Sequence, residues 1–208
     1  MIKNIVFDLG NVILNIDASL SVLEFEKLQL KNFDELYTLS NQVGLFDQLE
    51  KGEIEPEEFY AKIREISKLD LKDFEIINAW NALILDFPKE NIELLKSLKS
   101  KYRTFILSNT NYIHYKYYTE QLQTNFNING LEDLVEKAYF SHELGYRKPD
   151  EIIYKFVENH ANIKPEETLF IDDNAENCLS AEKLSWKTIL YTGNSLSDLF
   201  AKLNLPRH

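Results

Sequence analysis

The apolar positions of this chain form two patterns, short unbroken runs and stripes at helical spacing. Short apolar runs of strand length occupy residues 5–7, 104–107, 137–140, 168–171 and 188–191. Segments of helical length with one apolar side occupy about residues 88–100, 112–122, 150–159 and 175–184. Strands that alternate with helices predict a parallel sheet covered on both faces. We therefore expect an α/β fold with a Rossmann-like three-layer core.

The stretch from residue 17 to residue 85 shows helical spacing alone. Its apolar residues include Leu20, Leu23, Phe25, Leu28, Phe59, Ile63, Ile66, Phe74 and Ile77. Pro56, followed by Glu57 and Glu58, is favourable for the start of a helix. We therefore predict a small all-helical cap over residues 17–85, inserted after the first strand, and an α/β core of residues 1–16 and 86–208.

Composition and charge restrict the partners of the chain. Its 208 residues carry a net charge of −11 without a compensating basic run, which disfavours nucleic acid or an anionic membrane as a partner. The single cysteine, Cys178, fits a reducing compartment. No apolar stretch approaches the roughly 18 residues of a spanning helix, and no signal peptide precedes the first strand. No zinc-ligand spacing links the four histidines, His114, His142, His160 and His208. We expect a cytoplasmic protein that is a monomer or a homodimer.

Residues with reactive or charged side chains follow the predicted strands. In chain order they are Asp8, Ser108, Asn109, Lys148, Asp172 and Asp173. The carboxyl ends of parallel strands lie at one edge of an open sheet, where ligands usually bind, so we expect these side chains to converge. Neighbouring carboxylates repel each other unless a cation offsets their charge, and Mg²⁺ prefers hard oxygen ligands. The pattern predicts a site for Mg²⁺-dependent phosphoryl transfer.

Each of these residues also has a purely structural interpretation. Asp8 at a strand end can attack phosphorus and form an aspartyl phosphate, or it can cap the next turn. Lys148, in a loop fixed by the proline that follows, can neutralise the phosphate and the nucleophile. Ser108 and Asn109 offer hydrogen-bond donors to phosphate oxygens, although such residues more often form turns. Arg147 is as consistent with a solvated surface position as with a ligand contact.

A Mg²⁺ site needs one or two carboxylates, and the chain offers three. Asp8, with one or both of Asp172 and Asp173, satisfies this requirement. The backbone carbonyl of Gly10 could add a ligand, and Asn177, one turn into the following helix, could orient the acids. The structural alternative is an acidic loop that only caps this helix.

Four segments of the chain resemble, in order, the four motifs of the haloacid dehalogenase (HAD) superfamily. They are residues 7–13, 107–110, 145–150 and 170–174. The helical insert is similar to the C1-type cap of that superfamily. The Phe-Asp-Leu-Gly-Asn-Val-Ile form of the first motif, with Ser-Asn-Thr-Asn in the second, is similar to the α-D-glucose-1-phosphate phosphatase group. The resemblance covers nearly the whole chain.

The resemblance implies a role for each reactive residue. Asp8 would be the nucleophile and Lys148 the cation that stabilises the transition state. Ser108 and Asn109 would hold the phosphoryl group.

The same resemblance implies a metal site and further phosphate contacts. Asp172 and Asp173 would serve the Mg²⁺ ion together with Asp8 and the Gly10 carbonyl, and Asp173 is the expected direct ligand. Gly10, Asn11 and Arg147, which belong to the same motifs, are further candidates for contact with the phosphate.

The first motif departs from the pattern of most phosphatases in the superfamily. They carry a second aspartate two residues after the nucleophile, which protonates the leaving alcohol and later activates water, and here that position is Gly10. General acid–base catalysis commonly contributes about 10²- to 10⁴-fold. Three explanations compete. The leaving group needs little protonation, as an anomeric hydroxyl does; Asp17 substitutes, although an N-cap role fits it better; or the protein is a slow or non-catalytic phospholigand binder.

We predict a Mg²⁺-dependent phosphatase that hydrolyses a small phosphorylated metabolite, preferably an aldose 1-phosphate, through an aspartyl phosphate. A 2-haloacid dehalogenase also lacks the second aspartate, because halide needs no protonation. Such enzymes do not need Mg²⁺, however, so the acidic pair after residue 171 weighs against this alternative. Three residues of the cap, Phe46, Trp80 and Asn81, could face the ligand, although helix packing is the favoured interpretation for each.

Overall fold

The computed structural model of the chain describes residues 1–30, 44–193 and 195–203. His208 and residues 31–43 of the predicted cap lie outside the described residues. Within those ranges, five strands form one sheet: β1 Asn4–Phe7, β2 Arg103–Ser108, β3 Lys137–Phe140, β4 Thr168–Asp172 and β5 Lys187–Leu190.

All neighbouring strands of the sheet are parallel and follow the order β3-β2-β1-β4-β5. β1 lies at the centre, and its four residues are buried. Its last residue, Phe7, pairs with Ile106 of β2 and with Ile171 of β4. The residues that follow these three strands therefore meet at one edge of the sheet. The parallel α/β fold predicted from the alternation of strands and helices is confirmed.

The described residues form ten α-helices around and beside this sheet. They are α1 Ala18–Lys27, α2 Leu45–Glu50, α3 Pro56–Ser67, α4 Asp73–Asn81, α5 Lys89–Lys99, α6 Tyr112–Phe126, α7 Ser141–Leu144, α8 Glu151–Ala161, α9 Ala175–Lys183 and α10 Leu196–Lys202. Short 3₁₀ turns occupy Leu131–Asp133 and Pro165–Glu167. Among the helices described, none combines the length and the apolar character needed to cross a membrane.

The two faces of the sheet pack against different helices, because successive side chains of a strand point to opposite sides. Phe7 of β1 belongs to a buried cluster that includes Leu95 of α5. Phe170 of β4 belongs to a second cluster with Tyr154 of α8, and their ring centres lie 5.8 Å apart. Helices therefore cover both faces, as the three-layer prediction required.

Helices α1 to α4 bury a hydrophobic cluster of their own. It contains Phe25, Phe59, Ile63 and Ile76, and it meets the core through Ile113 of α6. Burial of such side chains contributes about 1.5–3 kcal/mol each, so this helical unit has a substantial core separate from that of the sheet.

The chain enters and leaves this helical unit at the same place. Asp17 N donates to Leu83 O at 2.8 Å, and Leu85 N donates to Asn15 O at 3.0 Å. Asn15 N also donates to Asp86 O at 2.9 Å, so the two linkers run antiparallel side by side. These contacts support the cap boundaries that we propose at residues 17 and 85.

Candidate active site

Lys148 lies buried between two carboxylates at the carboxyl edge of the sheet. Its Nζ donates to Asp8 Oδ1 at 2.6 Å and to Asp172 Oδ2 at 2.7 Å. The side chains of Lys148 and Asp172 are 1% and 0% exposed. Three residues that are far apart in the sequence thus converge at the edge of the sheet that was predicted from the ends of the strands.

The turn after β1 is held by the backbone and by one buried amide. Asp8 N donates to Ile171 O at 2.8 Å, which continues the pairing of β1 with β4 for one more residue. Asn11 then adopts a left-handed conformation with φ 54, a region in which asparagine is enriched. Asn91 of α5 donates through Nδ2 to the carbonyl oxygens of residues 12–13, at 3.3 and 3.1 Å. The nucleophile candidate is therefore followed by an ordered turn.

Asn109 fixes the backbone of the lysine loop. Its Oδ1 accepts from Lys148 N and its Nδ2 donates to Lys148 O, both at 2.8 Å. From the other side, Ser180 Oγ of α9 donates to Pro149 O at 2.5 Å. The side-chain amide of Asn109 thus holds the backbone of Lys148 with its oxygen and one of its two Nδ2 protons, which leaves the second proton and the backbone N–H as possible donors to phosphate.

The two aspartates after β4 have different surroundings. Asp172 accepts from Asn174 N at 2.8 Å and from Asn177 Nδ2 at 3.1 Å on each oxygen, in addition to Lys148. Asp173 is the more exposed and accepts from Asn11 Nδ2 at 3.0 Å. Asp172 is therefore saturated with donors, whereas Asp173 keeps oxygen lone pairs for a further ligand.

The acidic side chains are close enough to share one ion. One carboxylate oxygen from each of Asp8, Asp172 and Asp173 lies within 4.8 Å of the others. Oxygens bound at about 2.0–2.1 Å to one Mg²⁺ ion lie up to about 4.2 Å apart, so a small side-chain movement would suffice. A set of hard oxygen donors suits Mg²⁺ better than a softer metal.

The charges in this site do not balance without a further cation. Burial raises the pKa of Asp8 to about 6, an effect that Lys148 opposes and the neighbouring Asp172 reinforces. Burial disfavours the charged form of Lys148, but the two carboxylates outweigh it and hold its pKa above the ordinary value. Lys148 is therefore a permanent cation facing more than one negative charge. A divalent cation would offset the excess and ionise Asp8 fully.

The remaining candidates from the first two motifs lie around the same edge. Ser108 is the last residue of β2; it is buried, and its Oγ donates weakly to Asn109 O at 3.4 Å. Gly10 lies in the turn after Asp8, and a Cβ built on it would be 3.0 Å from Ile16 Cδ1. The structure brings Gly10, Asn11 and Ser108 to the site edge, where their predicted contact with phosphate stays a prediction.

Arg147 has partners other than the predicted phosphate. Its Nη1 pairs with Asp47, and its Nη2 lies 2.9 Å from Glu50 Oε2. Both acids belong to helix α2, so Arg147 faces the cap while its neighbour Lys148 faces the core. Two carboxylates engage the guanidinium because α2 packs over the lysine loop, and a contact between Arg147 and phosphate stays a prediction.

The other open candidates from the sequence have structural partners. Asp17 caps α1, with Oδ1 accepting from Ser19 N at 3.0 Å, as the N-cap interpretation predicted. The rings of Phe46 and Trp80 stack with centroids 5.1 Å apart. Asn81 Oδ1 lies 2.9 Å from His114 Nδ1. These contacts agree with the helix packing that the sequence favoured.

Sequence reasoning missed Glu50 and Asp47 as neighbours of the site. Both sit in an acidic stretch that looks like an ordinary solvated helix face. Their position depends on how α2 docks on the loop that carries Arg147, which is a tertiary contact without a local signal. The single hint is Gly52, where an added Cβ would lie 2.1 Å from His142 O, so the two segments approach closely.

A parallel α/β core, a helical insert after its first strand and an acidic site with a buried lysine define the HAD class of hydrolases. Residues 2–184 match the family of haloacid dehalogenase-like hydrolases, and the chain belongs to that family. The resemblance read from the four motifs is thereby confirmed at the level of the superfamily. The narrower resemblance to glucose-1-phosphate phosphatases stays a prediction.

Relatives of this chain include a named phosphatase. The chain is 32% identical over 190 residues to D-ribitol-5-phosphate phosphatase of Bacteroides thetaiotaomicron, covering 90% of this chain and 91% of that protein. It is also similar to a HAD family enzyme of the same organism, whose structure was solved in complex with magnesium and inorganic phosphate. That likeness has a TM-score of 0.87 at 39% identity and covers 96% of this chain and 100% of the other.

A dehalogenase shares the fold at lower identity. L-2-haloacid dehalogenase from Xanthobacter autotrophicus gives a TM-score of 0.59 at 20% identity, covering 98% of this chain and 82% of the dehalogenase. This likeness concerns the fold alone.

Proposed function

We propose that this protein is a Mg²⁺-dependent phosphatase that hydrolyses a small phosphorylated sugar or sugar alcohol through an aspartyl phosphate on Asp8. The observation that carries the proposal is the buried Lys148 ammonium, 2.6 Å from Asp8 and 2.7 Å from Asp172, in a group of three acids whose oxygens lie within 4.8 Å of one another. The similarity to a phosphatase, which extends over 90% of this chain and 91% of that protein, supports the reaction type.

The residues at the sheet edge have complementary tasks in this reaction. Asp8 attacks phosphorus, and Lys148 neutralises charge on the nucleophile and on the phosphoryl oxygens. Ser108 and the backbone N–H groups after β2 hold those oxygens. Mg²⁺, held by Asp8, Asp173 and the Gly10 carbonyl, would screen the phosphate charge when bound. Asp172 keeps Lys148 in place, because its oxygens are occupied by protein donors.

The leaving group is the finer part of the proposal. Our first candidate substrate is an aldose 1-phosphate, since an anomeric hydroxyl is more acidic than an ordinary alcohol and tolerates the absence of an acid at Gly10. The name of the relative suggests an alditol phosphate such as D-ribitol 5-phosphate, whose primary alcohol needs a proton. The two candidates therefore differ in whether another acid must act.

Steady-state assays distinguish these candidates from the other functions that the sequence left open. We would assay p-nitrophenyl phosphate, glucose 1-phosphate and D-ribitol 5-phosphate with Mg²⁺ and with a chelator, using the wild type and Asp8→Asn. We expect Mg²⁺-dependent phosphate release that is lost in Asp8→Asn. Binding of phosphate ligands without turnover of any ester would overturn the proposal in favour of a binder. Halide release from a 2-haloacid in chelator would overturn it in favour of a dehalogenase.

A further inference from the structure

With an alditol phosphate as substrate, the proposed reaction needs a proton donor that the first motif does not supply. Gly10 has no side chain, and Asp17 is committed to the start of α1, where its Oδ1 accepts from Ser19 N at 3.0 Å and from Ser19 Oγ at 2.6 Å. An alkoxide leaving group without an acid would slow the reaction by about 10²-fold or more. If the chain is the phosphatase proposed above, another group must carry this proton.

Glu50 is the carboxyl group that the cap brings to the lysine loop. It is the last residue of α2, and its Oε2 is buried 2.9 Å from Arg147 Nη2. Despite this ion-pair distance, Glu50 Oε2 makes no aligned hydrogen bond to any described residue. Arg147 directly precedes Lys148, whose ammonium contacts Asp8 at 2.6 Å. Glu50 is therefore near enough to the site for its charge to interact with that of Lys148.

A second buried polar atom nearby also lacks a partner. Trp80 Nε1 makes no hydrogen bond within the described part of the chain, and the Trp80 ring stacks on Phe46 with centroids 5.1 Å apart. Phe46 lies one helical turn before Glu50, so their side chains share one face of α2. Leaving a buried donor or acceptor unpaired costs about 1–3 kcal/mol. Trp80 Nε1, which has no hydrogen bond, and Glu50 Oε2, which has only the ion pair with Arg147, are polar atoms of the cap that a hydroxyl-bearing leaving group could partner.

Burial favours the protonated form of Glu50, and the neighbouring Asp47 reinforces this effect. Arg147 is shared between Asp47 and Glu50, so two carboxylates compete for one guanidinium. The side chain of Asp47 is 56% exposed and that of Glu50 is 26% exposed. Burial disfavours the charged form of Glu50, the less exposed of the two acids. Consistent with this, burial raises the pKa of Glu50, against the opposing charges of Arg147 and Lys148.

We propose that Glu50 is the general acid and base of the reaction, acting from the cap on the leaving-group oxygen. This inference rests on the proposed phosphatase function. In the first step Asp8 Oδ forms a bond to phosphorus, the bond from phosphorus to the ester oxygen breaks, and Glu50 gives its proton to that oxygen. In the second step Glu50 takes a proton from water, whose oxygen bonds to phosphorus while the bond to Asp8 breaks. The products are the free alcohol, inorganic phosphate, ionised Asp8 and protonated Glu50.

The test compares leaving groups of different acidity in Glu50→Gln. The ratio kcat/KM reports the first step, so we would measure it with Mg²⁺ for D-ribitol 5-phosphate, ethyl phosphate and p-nitrophenyl phosphate. Nitrophenolate leaves without a proton. We expect a loss of about 10²-fold or more for both alkyl esters and of less than about threefold for the nitrophenyl ester. Ethyl phosphate has no further hydroxyl, so its loss separates proton transfer from recognition of a polyol.

Asp47→Asn is the matched control, because Asp47 pairs with the same arginine from the same helix. Because its removal leaves Arg147 to Glu50 alone, we expect Asp47→Asn to lower the ratio of alkyl to nitrophenyl kcat/KM less than Glu50→Gln does. Asp17→Asn should leave that ratio unchanged. Equal losses of kcat/KM for all three esters in Glu50→Gln, or the same selective loss in Asp47→Asn, would overturn the inference and assign Glu50 to cap docking.

A second variant covers a failure of Glu50→Gln to fold. Glu50→Asp keeps an acid on a shorter side chain, and we expect it to lose alkyl esters selectively but less than Glu50→Gln does. A uniform loss in Glu50→Asp would count against the inference. Absence of Mg²⁺-dependent phosphatase activity in the wild-type protein would overturn the proposed function itself. An active enzyme whose kinetics do not change when Glu50 is replaced would overturn only the role of Glu50.

Discussion

At the scale of single residues, Lys148 determines whether two carboxylates can stay buried together. Its side chain is 1% exposed and contacts both Asp8 and Asp172. Removing one partner of a buried ionic cluster costs about 3–5 kcal/mol, because charges are left uncompensated. We expect Lys148→Met to lower the free energy of unfolding by about that amount in chelator, and Mg²⁺ to restore part of it. Urea denaturation with and without Mg²⁺ measures both effects.

An exposed lysine provides the control for Lys148→Met. Lys3 pairs with Glu167 at 2.7 Å, but its side chain is 56% exposed. Surface pairs contribute about 0–1 kcal/mol, so Lys3→Met should change the free energy of unfolding by no more than this, without a dependence on Mg²⁺. Equal effects of the two substitutions would contradict the role given to burial.

His114 should make the fold sensitive to acid. Burial lowers the pKa of His114 from 6.5 to about 3, so the folded protein keeps it neutral while the unfolded chain binds a proton. The unfolded state then carries more protons between these two values, and stability falls as pH decreases through that window. We expect a loss approaching about 1.4 kcal/mol per pH unit from this residue below about pH 6. Above that range the contribution is constant.

Comparison with His114→Gln isolates the effect. The raised pKa of Asp8, about 6, acts in the opposite direction, since the folded state then binds the extra proton. Asp8 and His142 are present in both proteins, so their contributions cancel in the difference. Urea unfolding at about pH 7 and about pH 5 should show a smaller loss of stability in His114→Gln. An identical loss in both proteins would contradict the prediction.

At the scale of elements, the position of α2 against α7 depends on the absence of a side chain at Gly52. Gly52 has φ +64, and an added Cβ would lie 2.1 Å from His142 O. We expect Gly52→Ala to push α2 away from α7 and the lysine loop, and to lower kcat/KM by about tenfold or more, because a displacement of about 1 Å at a site can cost about 10²-fold. Assays on a phosphorylated substrate, with melting temperature alongside, measure this.

Gly44 supplies a matched control for Gly52. It has φ +65, so alanine there suffers the same backbone strain, but nothing lies within 4 Å of an added Cβ. Gly44→Ala should cost about 1 kcal/mol of stability and little activity. A similar loss of kcat/KM in both variants would show that strain, rather than the contact with His142, explains the result.

The elements of the core were predictable from the sequence, and the contacts of the cap were not. The buried strands are recognisable in the sequence, since Val6 and Phe170 belong to unbroken apolar runs that must lie between two layers. Their polar ends then converge by topology, which placed Asp8, Lys148 and Asp172 correctly in one group. Helix α7 has four residues and no periodicity to detect. The partners of Arg147 follow from docking of one element on another, which no local pattern encodes.

At the scale of the whole molecule, the excess of negative charge predicts an order of ligand binding. The chain carries a net charge of −11, and three carboxylates face one ammonium in the site. An anion should therefore bind well only after Mg²⁺ does, which makes the two ligands positively coupled. We expect inorganic phosphate to raise the melting temperature in Mg²⁺ but not in chelator, with a stabilisation of about 2.7 kcal/mol at about 100 times the Kd.

Four thermal melts test this coupling, with each ligand alone, with both and with neither. Asp173→Asn should weaken the effect of Mg²⁺ and with it the effect of phosphate. Equal stabilisation by phosphate in chelator would contradict the prediction, because it would show that Lys148 and the backbone alone attract the anion.

The paired linkers at residues 15–17 and 83–86 have a consequence for the evolution of such a molecule. Both ends of the insert sit within a hydrogen bond of each other, at 2.8 to 3.0 Å, and among its described residues only Leu83 and Ile84, at its exit, belong to the main core cluster. The helical insert between the two linkers can therefore be lengthened, shortened or replaced without interrupting the α/β core. If Glu50 supplies the proton, then exchanging the cap would also exchange the general acid. A single recombination event could therefore change the chemistry of the site.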